Sequence, residues 1–168
     1  LGTDSVTLSP YLGFESLRPA LDAATANQRG TFVLALTSNP EGKSVQHVGK
    51  AEDTGAVAKQ VIAAATAENT AQTWERMGSC GLVVGATVGE ALKELAIDLS
   101  TFNGPILSPG YGAQGASAED LYRIFAGVES QVLVNSSRGV LSAGPQLADL
   151  ARAAQSARDD LVRARGTS

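Results

Sequence analysis

Three short stretches hold the residues best suited to chemistry: "NSSRG" (135–139), "LSPGYGAQGA" (107–116) and "TSNPEG" (37–42). In the first, the Arg138 guanidinium is flanked by the hydroxyls of Ser136 and Ser137 in a tight turn. A planar cationic fork with hydroxyls and turn N–H groups beside it suits a phosphate, whose oxygens accept several charge-assisted hydrogen bonds. In the second, Gln114 lies among Gly110, Gly112 and Gly115, which leave the backbone loosely constrained. A spacer would need only Gly and Ser. An amide there can donate to a phosphate while its oxygen accepts from a hydroxyl such as that of Ser38. Each residue also has a plainer role: Arg138 as a surface side chain capping a helix or pairing with Glu129, Gln114 as a solvated loop residue, and Ser38-Asn39-Pro40 as a turn initiator.

The remaining candidates are weaker. His47 is the single histidine, with no second His or Cys at ligand spacing, so it reads as a solvated loop residue and no metal site is expected. Cys80, also single, opens an apolar run and reads as core; one cysteine excludes an internal disulfide framework and suits a reducing cytoplasm. "GATVGE" (85–90) lacks the Gly-x-Gly-x-x-Gly spacing of a dinucleotide fingerprint.

Apolar runs position these loops. "SVTLS" (5–9), "TFVLALT" (31–37), "CGLVVGA" (80–86), "PILS" (105–108) and "QVLVN" (131–135) are short and not alternating, as in strands buried on both faces. Helix-period stretches separate them. Phe14, Leu17, Leu21 and Ala24 share a face; Val57, Val61, Ala64, Ala65 and Trp74 do so over 56–77; Leu92, Leu95 and Ala96 do so over 88–97. Ser117 and Asp120 form a capping-box pattern before Leu121, Ile124 and Phe125. A last helix is expected to start at Pro145 and to bury Leu147, Leu150, Ala154, Ala157 and Leu161. Residues 39–55 form the one long loop. Alternation repeated five times predicts an α/β fold with a parallel sheet in a single domain, 1–168. In such a sheet the loops at the carboxyl ends of the strands share one rim, and phosphates bind between the last two of them in barrels.

Composition narrows the class. With 43% hydrophobic residues in 168, the chain can bury a full core, and its net charge of −4 repels nucleic acid and anionic membrane surfaces. No apolar run approaches the about 20 residues of a membrane span. A first residue of Leu, almost at once inside a strand-like run, fits a piece of a longer protein.

Taken in order, "DSVTLSPYLGFESLRPAL", "VLALTSNPEG", "GLVVGAT", "ILSPGYGAQGA" and "VLVNSSRGV" resemble the orotidine 5'-phosphate decarboxylase family, in its bacterial and actinobacterial subgroup. The resemblance covers nearly the whole chain and corresponds to the second half of a (β/α)8 barrel, from about the fourth strand onward. It implies a cytoplasmic homodimer that converts orotidine monophosphate to uridine monophosphate without metal or organic cofactor. By motif, Ser38 would hydrogen-bond the pyrimidine, Leu34 and Pro109 would wall the pocket, and Gln114 and Arg138 would hold the phosphate. Ser137 stands where the family often has Gly.

The family's catalytic run, Asp-x-Lys-x-x-Asp, is expected to precede Leu1. None of Lys43, Lys50, Lys59 and Lys93 stands in such a run, so no catalytic acid or base is assigned here. Two other readings stay open: a half-barrel module that binds a nucleotide or sugar phosphate without turnover, and a related barrel enzyme acting on another phosphorylated sugar.

Overall fold

The computed structural model describes residues 2–50, 55–112 and 115–165. Strands β1 (Ser5–Leu8), β2 (Gly30–Leu36), β3 (Cys80–Val84), β4 (Ile106–Pro109) and β5 (Val132–Asn135) form one sheet, parallel throughout and ordered as in the sequence. All five match the apolar runs. After β1 comes α1 (Arg18–Ala26), after β2 come α2 (Lys43–Gln46) and α3 (Val57–Thr70), and after β3 comes α4 (Gly89–Glu94). Helix α5 (Ala118–Ile124) follows β4; α6 (Ser137–Leu141) and α7 (Leu147–Arg165) follow β5. A helix after every strand, in unbroken order, is the arrangement of half a (β/α)8 barrel.

Register explains the burial. Val33, Leu82 and Ile106 are paired across the three central strands, and all three are 0% exposed against Leu21, Val61, Ala65, Leu121 and Phe125 from the helices. The next row is Leu34, Val83, Leu107 and Leu133, on the opposite face of the pleat. Here Val83 is buried, Leu34 and Leu107 are half-buried and Leu133 is 51% exposed. Burial on both faces therefore holds for β3 and fails at β1 and β5. Each edge strand has one strand neighbour among the described residues; on the helix side Leu8, Val132 and Val134 are half-buried, while Val6 is 47% exposed.

Three helix boundaries differ from the periodicity: those of α4, α3 and α7. Helix α4 stops at Glu94, and Ala96, expected to face inward, is exposed with a φ of 49° that a helix cannot continue through. Helix α3 stops at Thr70, short of Trp74 and Met77. Near its end the fully buried Asn69 turns its amide on β3: Nδ2 donates to the Cys80 carbonyl at 2.8 Å, and Oδ1 accepts from the Cys80 N–H at 3.1 Å. Trp74 Nε1 donates to the Asn69 carbonyl at 2.8 Å, satisfying a carbonyl that the ended helix leaves without a partner. Helix α7 begins at Leu147, not Pro145, and its inward face is Leu150, Ala157, Leu161 and Ala164; Leu147 is 80% exposed and Ala154 is exposed. The segment expected as one long loop over 39–55 carries a 3-10 turn (Pro40–Gly42) and then α2; residues 51–54 lie outside the described set. The capping box on α5 forms in both directions, the Ser117 hydroxyl accepting from the Asp120 N–H at 3.1 Å and Asp120 Oδ2 from the Ser117 N–H at 3.0 Å.

Two outcomes follow. Asn69→Ala leaves the Cys80 N–H and carbonyl without their amide partner in the core, and is expected to cost about 2–4 kcal/mol in urea unfolding; a change within error would show that the clasp contributes nothing. Burial pushes the Cys80 thiol up to about 11. It should therefore react with a thiol reagent at about pH 8 only as fast as the chain unfolds, and rapid labelling of folded chain would contradict its placement.

Candidate functional site

In a parallel sheet every strand delivers its carboxyl end to the same edge. Here that edge carries Ser9-Pro10-Tyr11, Thr37-Ser38-Asn39, Gly85-Ala86-Thr87, Gly110-Tyr111-Gly112 and Ser136-Ser137-Arg138, one loop from each strand. Backbone bonds continue the ladder past the strands: the Gly85 N–H donates to the Leu36 carbonyl at 2.9 Å and the Ala86 N–H to the Pro109 carbonyl at 2.8 Å. The first residues of the middle loops are thus held as firmly as the sheet.

The loops after β4 and β5 enclose a cavity of about 100 Å3 lined by Pro109, Gly110, Tyr111, Asn135, Ser136, Ser137 and Arg138. Among the described lining residues Arg138 is the single charged one, with Ser136 and Ser137 beside it in the chain. Arg138 stands in the first turn of α6, where backbone N–H groups lack intrahelical acceptors. Glu129, its alternative partner, accepts instead from the Gly127 N–H at 2.9 Å. That bond, then one from its own backbone N–H, holds the Glu129 carboxyl below the usual range. The cavity therefore offers a cation and neutral donors with no competing carboxylate, which suits a small anion.

The β4 loop is pinned at its base. Gly110, with φ of 109°, lets the chain turn sharply off the strand. Tyr111 is buried, and its hydroxyl donates to Asp160 Oδ2 of α7 at 3.1 Å. Past the turn, the Gly112 N–H donates to the Ala116 carbonyl at 2.9 Å and closes the loop. Gln114, proposed from the sequence as a phosphate ligand, lies outside the described residues.

Ser38 is placed at the other end of the rim by a hydrogen-bonded turn. The Thr37 N–H donates to Gln46 Oε1 at 3.0 Å, Gln46 Nε2 donates to Thr37 Oγ1 at 2.7 Å, and Thr37 Oγ1 donates to Asn39 Oδ1 at 2.7 Å. Asn39 Nδ2 then donates to Glu41 Oε2 at 3.2 Å. Ser38 is exposed and leans over the end of β3, where a Cβ added to Gly85 would lie 3.3 Å from its nitrogen. Leu34 lines a separate, larger cavity of about 750 Å3 between the end of β1 and helices α2 and α3, with Thr37, Asn39 and Gln46. Pro109, Ser137 and Arg138 thus come together, while Leu34 and Ser38 lie toward β2, three strands away, or about 14 Å measured along the sheet.

Tyr111, Asp160 and Gln46 escaped the sequence reading. Tyr111 was quoted only as part of a glycine-rich loop, and its partner is 49 residues away. The Gln46 bonds span nine residues, a separation that no periodicity marks. His47 is half-buried at the end of α2, its N–H bonded to the Lys43 carbonyl at 3.3 Å. Among the described residues no three His, Cys, Asp or Glu side chains gather where a metal could be held, and no helix is long and apolar enough to cross a membrane. Lys50 pairs with Glu94 at 2.7 Å and Lys93 with Glu90 at 3.1 Å, so two of the four lysines are held in ion pairs.

Comparison with known proteins gives a consistent result. The family profile described as Orotidine 5'-phosphate decarboxylase / HUMPS family matches residues 1–153. An orotidine 5'-phosphate decarboxylase of Streptomyces coelicolor is 48% identical over 158 residues, covering 92% of this chain and 53% of that protein. One from Salinispora arenicola is 49% identical over 154 residues with the same coverage. A crystal structure from Streptomyces avermitilis assigned to this enzyme superposes with a TM-score of 0.81 at 44% identity, over 96% of this chain and 54% of that one. The Leishmania donovani OMP decarboxylase structure gives 0.69 at 25% identity, over 98% and 58%. The chain spans about half the length of the curated relatives it matches. It belongs to the orotidine 5'-phosphate decarboxylase / HUMPS family.

Proposed function

We propose that this chain forms the substrate-recognition half of an enzyme that decarboxylates orotidine 5'-monophosphate to uridine 5'-monophosphate. The observation that carries the proposal is the cavity between the β4 and β5 loops, where Arg138, two serine hydroxyls and Gly110 surround a space with no carboxylate. Family membership supports the same reading, and the separation of Ser38 from Arg138 suits a ligand with a polar ring at one end and an anion at the other.

In this reading the phosphate is held by Arg138 and by Gln114, with Ser137 beside it; Ser38 accepts from or donates to the pyrimidine amide, and Leu34 and Pro109 wall the ring. Phosphate affinity acts remotely. Its binding energy closes the glycine-rich loop over the ring and excludes water from the carbon that loses CO2, where negative charge develops. The residues described here contribute binding and orientation. The groups that crowd the departing carboxylate and protonate the ring belong to a part of the enzyme that this chain does not supply. The whole enzyme is proposed to work as a homodimer in the cytoplasm, with no metal or organic cofactor.

Arg138→Ala in the full-length protein is expected to weaken uridine 5'-monophosphate binding by about 1.5–3 kcal/mol, the scale of hydrogen bonds to a charged group. Isothermal titration calorimetry measures this directly, and an unchanged affinity would remove Arg138 from the phosphate site.

A further inference from the structure

The hydrogen bonds around Thr37 point to a residue that acts on Ser38 without touching the ligand. Gln46 binds both polar groups of Thr37 at once, accepting from its N–H at 3.0 Å and donating to its hydroxyl at 2.7 Å. A side-chain amide used in this bidentate way fixes the position of a peptide unit and also sets the direction of the threonine hydroxyl. With its acceptor role taken by Gln46, that hydroxyl can give its proton only to Asn39 Oδ1, at 2.7 Å. These bonds fix residues 37 and 39, and Ser38 lies between them.

Steric evidence agrees. A Cβ at Gly42 would lie 2.8 Å from Thr37 Oγ1, 3.1 Å from Gln46 Nε2 and 3.3 Å from Asn39 Oδ1. Any side chain there would press on the three atoms that make the clasp. Gly42 has an ordinary helical φ of −56°, so its lack of a side chain is explained by this close approach and not by backbone strain. Gln46 is half-buried and belongs to a helix of one turn, too short to be stable by its own hydrogen bonds. The two bonds to Thr37 thus also tie α2 to the end of β2.

We propose that Gln46 is a positioning residue for pyrimidine recognition: through Thr37 it holds the Ser38 hydroxyl at the angle the ring requires, while leaving the phosphate end of the site untouched. This rests on the reading of Ser38 as the pyrimidine contact given above. The chemistry separates the two ends, because the clasp lies on the β2 loop and the anion cavity between the β4 and β5 loops.

The test compares two probes, uridine 5'-monophosphate and ribose 5-phosphate, on the full-length protein and five variants. Ser38→Ala alone should weaken the nucleotide and spare the sugar phosphate. Gln46→Leu should weaken the nucleotide by ~10-fold, the loss expected for about one well-placed hydrogen bond, with less than a ~2-fold change for ribose 5-phosphate. Added to Ser38→Ala, it should have almost no further effect on either probe, since its influence passes through that hydroxyl. Gln46→Glu keeps an acceptor for the Thr37 N–H and should lose less than Gln46→Leu; Gly42→Ala, which attacks the clasp from the other side, should reproduce the Gln46→Leu selectivity. Should Gln46→Leu not fold, these last two variants decide the matter by the same comparison. Equal losses for both probes, with Ser38→Ala selective, would make Gln46 a merely structural residue and overturn the proposal. If Ser38→Ala leaves the nucleotide unaffected, the pyrimidine contact itself is wrong and the proposal falls with it.

Discussion

The arrangement depends on parallel strand pairing carried one and two residues beyond β3. Because β1 to β5 run the same way and pair in order, their five carboxyl ends reach one edge, and the Gly85–Leu36 and Ala86–Pro109 backbone bonds lock the middle ends together. A phosphate contact on one loop and a ring contact on another can then be separated by a fixed distance, which loops alone could not guarantee. Helices on one face bury the central register row completely and supply the rigidity.

Function on such a rim divides into binding that orients and chemistry that reacts. In the proposed reading the described residues supply the first: an arginine beside two serines, a buried tyrosine that ties the neighbouring loop to α7, and a serine held in a bonded turn. Binding energy gathered far from the reacting carbon is useful only when it is transmitted through a framework that does not yield. The Tyr111–Asp160 bond and the Gln46–Thr37 clasp are such connections, each anchoring a recognition loop to a helix.

Much of the fold was legible because local and global preferences agree. Strand positions followed from short apolar runs, and Ser117 with Asp120 announced α5, since a capping box is written in four consecutive positions. The errors have physical causes. Helix α3 ends early because Asn69 is drawn into bonds with Cys80, a tertiary contact that periodicity cannot register. Leu147 and Ala154 share the periodicity of the inward face of α7 yet stay exposed, because apolar spacing does not say how much of a helix finds a neighbour. At the candidate site, Arg138 was proposed from its turn and Pro109 and Ser137 from the motif resemblance, and the structure gathers these three around one cavity. The Gln46 bonds to Thr37 left no mark in the sequence, for an amide's partner cannot be read from spacing.

The central claim is that one nucleotide spans this rim, phosphate at the β5 end and pyrimidine at the β2 end. A crystal structure of the full-length protein with uridine 5'-monophosphate tests it directly. The account predicts phosphate oxygens within hydrogen-bonding distance of the Arg138 guanidinium and the pyrimidine edge against the Ser38 hydroxyl. A nucleotide bound with its phosphate away from Arg138, or with its ring on the far side of the sheet from Ser38, would contradict it.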